Sequence, residues 1–323
     1  MKSLNCKNCG AAMYFDSSAM KASCRFCKTE HMLSMEDNDF FHDYYYALTD
    51  LLSPVRDELE KKKKADAVWE KAESVVFKCN DGTDVEIRYL HCHEIQGVTV
   101  YTARRNLVFH FKAGEVDKTE LYRKVSSMVD YPSADIRMLS NFFPNVVGGF
   151  SLYDGSNILI ISKDENEYPL RLFTNLSGRH TAWIISRIEN LCCVLEYNCI
   201  VHPLLGIDTI YINPYLHQAS LYGGWWAAGK KNTYSSYGRV YLTMESNLIA
   251  LRKTAANVLG FAGNEQVRNY DGIPKPMADF ISGSPKTDAY ADFTFWDEVL
   301  IKSYGERKFI DFEADDEKIY NKG

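Results

Sequence analysis

The stretch 184–226 limits the folds open to this chain more than any other. Apolar residues recur at Ile184, Ile185, Ile188, Leu191, Cys192 and Leu195, the 3.6-residue period of a helix with one broad buried face. Asn198 and Cys199 break that period. Two short strand-like segments follow, Ile200-Val201-His202 and Ile210-Tyr211-Ile212, and then a turn, Tyr222-Gly223-Gly224-Trp225-Trp226.

At 323 residues, with 46% hydrophobic and 25% charged, the chain can bury a large core in two or three domains. A formal net charge of −6 supplies no bulk attraction for nucleic acid. No apolar run reaches the roughly 18 residues of a membrane span, so no membrane partner is expected. The N-terminus lacks a signal-peptide core. Nine cysteines, an odd number, suit a reducing cytoplasm better than a disulfide framework.

Four of those cysteines form two Cys-x2-Cys knuckles, Cys6/Cys9 and Cys24/Cys27. Such pairs present two thiolates each, and a hairpin between them completes a tetrahedral zinc site. The spacing resembles zinc ribbons of the rubredoxin-like kind. Met13-Tyr14-Phe15 and Met20-Lys21-Ala22-Ser23 would supply the strands. Zinc bound by four thiolates is structural, because no coordination position stays open, and so small a segment needs the metal to fold. Unpaired or redox cysteines are the alternative. Lys7, Lys21, Arg25 and Lys28 give the ribbon a basic face through which nucleic acid could be held.

Residues 33–73 read as a helical connector: an amphipathic helix over Asp39–Leu52, then a second opened by Ser53-Pro54 and running to about Glu73. The run Lys61–Lys64 reads as a solvated helix face. Strands are expected at 74–79 and 84–90 around an Asn80-Asp81-Gly82-Thr83 turn, at 98–101, 107–112 and 157–161, with a helix over Glu115–Met128. His91 and His93 would share one face of a strand, as two metal ligands do, but no second ligand pair accompanies them, and an edge-strand cluster is the reading adopted.

Strands, a helix, strands, then a long helix before a loop and two short strands is the order of a protein kinase domain, and residues 74–310 resemble one. Residues 181–226 carry the likeness most firmly, with Trp183-Ile184-Ile185-Ser186-Arg187, Val201-His202, Ile212-Asn213-Pro214 and Tyr222-Gly223-Gly224-Trp225-Trp226. They are similar to a divergent group of kinase-like proteins from bacteria and large tailed phages; for a phage protein the compartment would be the host cytoplasm. The resemblance implies an α+β, two-lobed protein kinase-like fold preceded by a small four-cysteine zinc ribbon and helical connector. The divisions are 1–32 (ribbon), 33–73 (connector), 74–165 (N-lobe) and 166–323 (C-lobe).

The same resemblance places the family's functional positions. His202 stands at the histidine of the His-Arg-Asp loop and Leu204 at its catalytic aspartate; Thr209 stands at the magnesium-binding asparagine, and Tyr222-Gly223-Gly224 at Asp-Phe-Gly. Lys112 matches the phosphate-contacting lysine, with Glu120 or Lys124 on the following helix as its partner position. Asn80–Thr83 stands for the Gly-rich loop, with one glycine where the family has three, and Asn247 for a buried aspartate in a later helix.

Phosphoryl transfer needs a carboxylate to orient the hydroxyl and oxygens to hold magnesium. Leucine and glycine side chains offer no oxygen, and a neutral phenol is a poor magnesium ligand. The expectation is a pseudokinase: a binding or scaffold protein with structural zinc, a protein partner, no catalytic residue, and ATP binding in question. Two other readings stay open. One is an atypical kinase or nucleotidyl transferase using a displaced acid such as Asp208. The other is nucleic-acid binding through the ribbon.

Overall fold

The computed structural model describes residues 13–16, 21–24, 27, 29–32, 60–114, 117–133, 137–236, 239–305 and 310–320. The chain divides into two compact units, Met1–Ala67 and Val68–Gly323.

In the first unit, β1 (Met13–Asp16), β2 (Lys21–Cys24) and β3 (Glu30–Met32) form an antiparallel sheet in that order. The third strand was not expected from the sequence. The Cys24 N–H donates to the Thr29 carbonyl at 2.9 Å, closing a turn that contains Cys27. Cys24 is buried, and the Cys27 Sγ lies 3.0 Å from the Thr29 hydroxyl. Cys6 and Cys9 fall outside the described residues, as do the expected helix at 39–52 and three of the four basic ribbon residues. The fourth, Lys21, pairs with Glu30 at 3.1 Å.

Residues 60–70 form helix α1, whose lysine run is exposed, as a solvated face should be. The helix stops before Glu73, because β4 (Glu73–Lys78) begins there and pairs with β5 (Asp84–Tyr89). This hairpin stands apart as its own two-stranded sheet. The five-stranded sheet that follows contains β6 (His91–Ile95), β7 (Val98–Thr102), β8 (Asn106–Phe111), β9 (Asn145–Ser151) and β10 (Asn157–Ser162), ordered β6-β7-β8-β10-β9. All its pairings are antiparallel. Between β8 and β9 lies helix α2 (Lys118–Ser126), capped by the Asp117 carboxylate, which accepts from the Thr119 and Glu120 N–H groups.

Alternation along β8 explains why both faces of the sheet are covered. Leu107, Phe109 and Phe111 point into the main core, while Val108 packs with Ile158, Phe77, Cys79 and Leu152 on the outer face. The β4–β5 hairpin therefore roofs that outer face and keeps Val108 and Ile158 fully buried. The Asn80–Thr83 turn joins β4 and β5, while Gln96-Gly97, both at positive φ, joins β6 and β7.

The helical part follows a short connector and β11 (Tyr168–Pro169). Helix α3 (Gly178–Tyr197) begins six residues before the apolar period does, because the Ser177 hydroxyl accepts from the His180 N–H and caps a polar first turn. After it come β12 (Ile200–Val201), β13 (Ile210–Asn213), β14 (Gln218–Leu221) and β15 (Gly229–Lys230). β13 lies between β11 and β14, and β12 pairs with β15. Helices α4 (Glu245–Val258), α5 (Lys275–Ser282), α6 (Ala289–Tyr304) and α7 (Asp316–Tyr320) complete the unit. A sheet-built part followed by packed helices makes this an α+β body. Among the described residues no helix is long and apolar enough to cross a membrane.

Candidate functional site

The loop 202–209 is held from below by α4. Asn247, fully buried, accepts the His202 N–H at 2.8 Å and donates to the Ile200 carbonyl at 3.0 Å. His202 is itself fully buried, and its Nε2 donates to the Gly223 carbonyl at 2.9 Å. Burial pushes this imidazole down to about 4, so it is neutral near pH 7. Its role is to tie the loop to the segment 222–226, whose Trp225 packs edge-on against the ring at 5.2 Å.

Leu204 is partly buried against the core. The Thr209 hydroxyl donates to the Leu204 carbonyl at 2.8 Å and accepts the Gly206 N–H at 3.1 Å, so it closes the loop on itself. Gly224 takes φ +80°, and a Cβ there would lie 2.7 Å from His202 Cε1. Only glycine allows both that backbone and that approach.

Tyr222 turns its phenol toward the connector. The hydroxyl donates to Glu167 at 2.9 Å, and the same carboxylate accepts the Ser220 hydroxyl at 2.6 Å and the Asp164 N–H at 2.8 Å. Glu167 is buried, and its pKa is raised, chiefly by desolvation. Lys163, also buried, donates to the Arg104 and Asp164 carbonyls; burial brings it down to about 8. Sequence reasoning missed Glu167 altogether, because nothing in Asp164-Glu165-Asn166-Glu167 distinguishes the one acid that turns inward.

On the sheet side, hydrocarbon fills the junction. Phe109, Phe111, Tyr122 and Trp226 pack ring against ring, with centroids 5.2 to 6.4 Å apart. Tyr122 and Val125 are the buried residues of α2, and the Tyr122 hydroxyl donates to the Tyr222 carbonyl. Glu120 and Lys124, the two partner positions considered for Lys112, are exposed on the other side of α2. Lys112 is exposed as well, and its ammonium pairs with Glu94 at 3.8 Å. Tyr122 was recoverable from the sequence, since Leu121, Tyr122 and Val125 make one apolar helix face.

The first strand of the sheet closes onto the loop. His93 Nε2 donates to the Asp208 carbonyl at 3.1 Å, and a Cβ on Gly223 would lie 3.1 Å from both Ile95 Cδ1 and Thr209 Cα. Asp208, the candidate displaced acid, is half exposed and paired with Arg171 at 3.3 Å.

The hydroxyls of Thr209 and Tyr222 are both engaged by protein partners. Of the zinc ligands read from the sequence, Cys24 and Cys27 lie at one turn, while Cys6 and Cys9 are outside the described residues. Among the described residues no cluster of three or more His, Cys, Asp or Glu is placed to hold a metal.

No protein-family model matches the sequence, and no curated protein does. The structure neighbours of the chain are protein kinase domains. A Toxoplasma gondii specific rhoptry antigen kinase domain is 11% identical at a TM-score of 0.47, with 75% of this chain and 91% of that chain covered. Vaccinia related kinase 3 is 11% identical at 0.48, with 74% and 95% covered. A rhoptry kinase from Toxoplasma gondii is 9% identical at 0.46, with 72% and 84% covered.

Proposed function

We propose that this chain is a kinase-like protein without phosphoryl-transfer chemistry, acting as a protein-binding scaffold through a body joined to an N-terminal zinc ribbon. The observation that carries the reading is the bond from Tyr222 to Glu167. A residue at the metal-holding position is committed to an internal carboxylate, and neither can leave without stranding a buried polar group. The aromatic packing of Phe109, Phe111, Tyr122 and Trp226 supports it, since a triphosphate has no charge-stabilising partner among those rings. Asp208, held by Arg171, is a poor candidate for the displaced acid of the enzymatic alternative. Cys6, Cys9, Cys24 and Cys27 are the structural zinc ligands in this reading, and the turn that brings Cys24 and Cys27 together supports that half of the set.

Thermal unfolding with ATP, with and without Mg2+, tests the proposal. The expected result is no magnesium-dependent rise in melting temperature and no transfer of phosphate to protein substrates. A magnesium-dependent rise, together with transfer that disappears on Lys112→Ala, overturns it.

A further inference from the structure

The five-stranded sheet ends in β6 on one side and β9 on the other. β6 is guarded: His93 ties it to the Asp208 carbonyl, and Glu94 pairs with Lys112. β9 runs Asn145-Val146-Val147-Gly148-Gly149-Phe150-Ser151, with no charged residue and no proline. Those are the residues by which edge strands are ordinarily kept from pairing. Val147 is exposed.

One end of this edge already serves as a template for another strand. The Asn80 N–H donates to the Ser151 carbonyl at 2.9 Å and the Tyr153 N–H to the Lys78 carbonyl at 3.2 Å. Cys79 and Leu152 form an antiparallel bridge between them. Among the described residues, none outside β10 gives 145–150 a backbone hydrogen bond. The bulge opposite Ile160 and Ile161 bends the strand at Val147 and leaves Gly148–Ser151 in regular register.

Two glycines shape the free part. A Cβ on Gly149 would collide with the Arg123 guanidinium, which occupies the space a side chain would take. A Cβ on Gly148 would make ordinary contacts, 3.6 Å to Phe150 Cε2 and 4.0 Å to Ile160 Cδ1. Packing within the unit therefore does not call for glycine at 148, and its effect is to leave room for a second backbone. Arg123 itself is exposed. Among the described residues no carboxylate forms an ion pair with it.

We propose that β9 is a strand-addition site, where an extended segment of a protein partner pairs with residues 145–149 and sets a carboxylate against Arg123. Main-chain hydrogen bonds supply the affinity, and the cross-strand pair of carboxylate and guanidinium selects the segment. A second copy of this chain fits less well. Two-fold pairing of β9 with itself sets both Arg123 side chains on one face of the joined sheet, with like charges facing. The surface gives the protein-binding part of the scaffold reading a place. It uses none of residues 204, 209 and 222, so its outcome and that of the ATP measurements are decided separately.

The probe is a fluorescein-labelled peptide, Thr-Val-Thr-Glu-Thr-Val-Thr, with a Lys-centred twin and a twin methylated on alternate backbone nitrogens. Anisotropy titration with the full chain is expected to show saturable binding of the Glu peptide, about fivefold tighter than the Lys twin. The methylated twin, lacking the donors, is expected not to bind. Arg123→Glu, with an unchanged melting temperature to show that it folds, is expected to reverse the preference between Glu and Lys. Backbone hydrogen exchange is expected to slow at 145–149 when the Glu peptide is added. The proposal is overturned if neither unmethylated peptide binds, if both bind equally, or if Arg123→Glu leaves the preference unchanged. Protection that falls elsewhere also overturns it, as does protection of 145–149 that grows with protein concentration alone, the mark of a second copy.

Discussion

The Tyr222 hydroxyl stands 2.9 Å from Glu167 Oε2, a bond that joins the segment after β14 to the connector between the sheet and the helices. Both residues are buried, so the bond is shielded from water and its loss is not replaced by solvent. Tyr222→Phe keeps the ring and deletes the donor. It is expected to lower unfolding stability by about 1–3 kcal/mol, the cost of an under-satisfied buried carboxylate, and urea denaturation reads that directly. Tyr222→Asp would set two carboxylates side by side in a dry site and is expected to be more damaging than Tyr222→Phe, without introducing ATP hydrolysis.

Asn247 invites a similar test. Replacement by aspartate preserves the acceptor for the His202 N–H but removes the donor to the Ile200 carbonyl and buries a charge. Asn247→Asp is therefore expected to destabilise by at least as much as Asn247→Ala, about 1–3 kcal/mol. Chemical denaturation of the two variants side by side distinguishes this from a site that prefers a charge.

A buried charge cluster sets one part of the pH dependence. Arg252 Nη2 donates to both Asp292 oxygens at 2.6 and 2.8 Å, while Glu189 stands 3.5 Å from Nη1. Desolvation, with Asp292 adding to it, raises Glu189 to about 9 from its ordinary 4.5. The folded state thus holds a proton that the unfolded state releases, and this contribution is complete below about 4.5 and lost as pH rises toward about 9. Between those values one proton corresponds to a slope of about 1.4 kcal/mol per pH unit. Glu189→Gln is expected to flatten that alkaline fall, seen as a smaller difference in melting temperature between pH 6 and pH 9 buffers than the wild type shows.

The acid side runs the other way. His91, His93 and His202 are each held near 4 by burial, below the ordinary 6.5, so the unfolded chain takes up protons that the folded chain refuses. Their contribution is present above about 6.5 and is lost as pH falls toward 4. His202→Gln removes one of these protons from the balance and is expected to show a shallower loss of stability between pH 6.5 and 4, at a lower overall stability because the bond to Gly223 is altered.

At the aromatic junction, Trp226→Ala is expected to cost about 3–5 kcal/mol, since a fully buried indole leaves a cavity that Phe109, Phe111 and Tyr122 cannot refill. Trp226→Phe, which keeps part of the packing, is expected to cost less. Fluorescence-monitored unfolding of both variants checks the order.

Periodic segments were legible in the sequence: the long buried helix, the strands at 98–102, 106–111 and 157–162, and the Asn80–Thr83 hairpin all announce themselves by alternation or by a 3.6-residue period. β9 does not, because Gly148-Gly149 sits in its middle and glycine carries no strand preference. The start of α3 was hidden for a similar reason, since Gly178-Arg179-His180 lacks an apolar stripe and depends on Ser177 for its cap. At the site, the resemblance singled out positions 204, 209 and 222. The partners of the 222–223 segment were not legible: Glu167, Tyr122 and Ile95 come from distant parts of the chain and reach it only in the folded unit. His91 and His93 were legible as a pair, but the bond from His93 to the Asp208 carbonyl was not.

Trp69 and Tyr320 lie near opposite ends of the larger unit, and their rings meet at 6.4 Å. Asp316 is clasped between the Trp69 indole and the Tyr168 phenol at 2.7 and 3.0 Å. The larger unit is thereby buckled near its two ends, with the buckle lying on the strap that links sheet to helices. Clipping α7 removes the Asp316 carboxylate from both Trp69 and Tyr168, so a protease acting at residues 316–320 would loosen β11 and the start of the unit together with its tail.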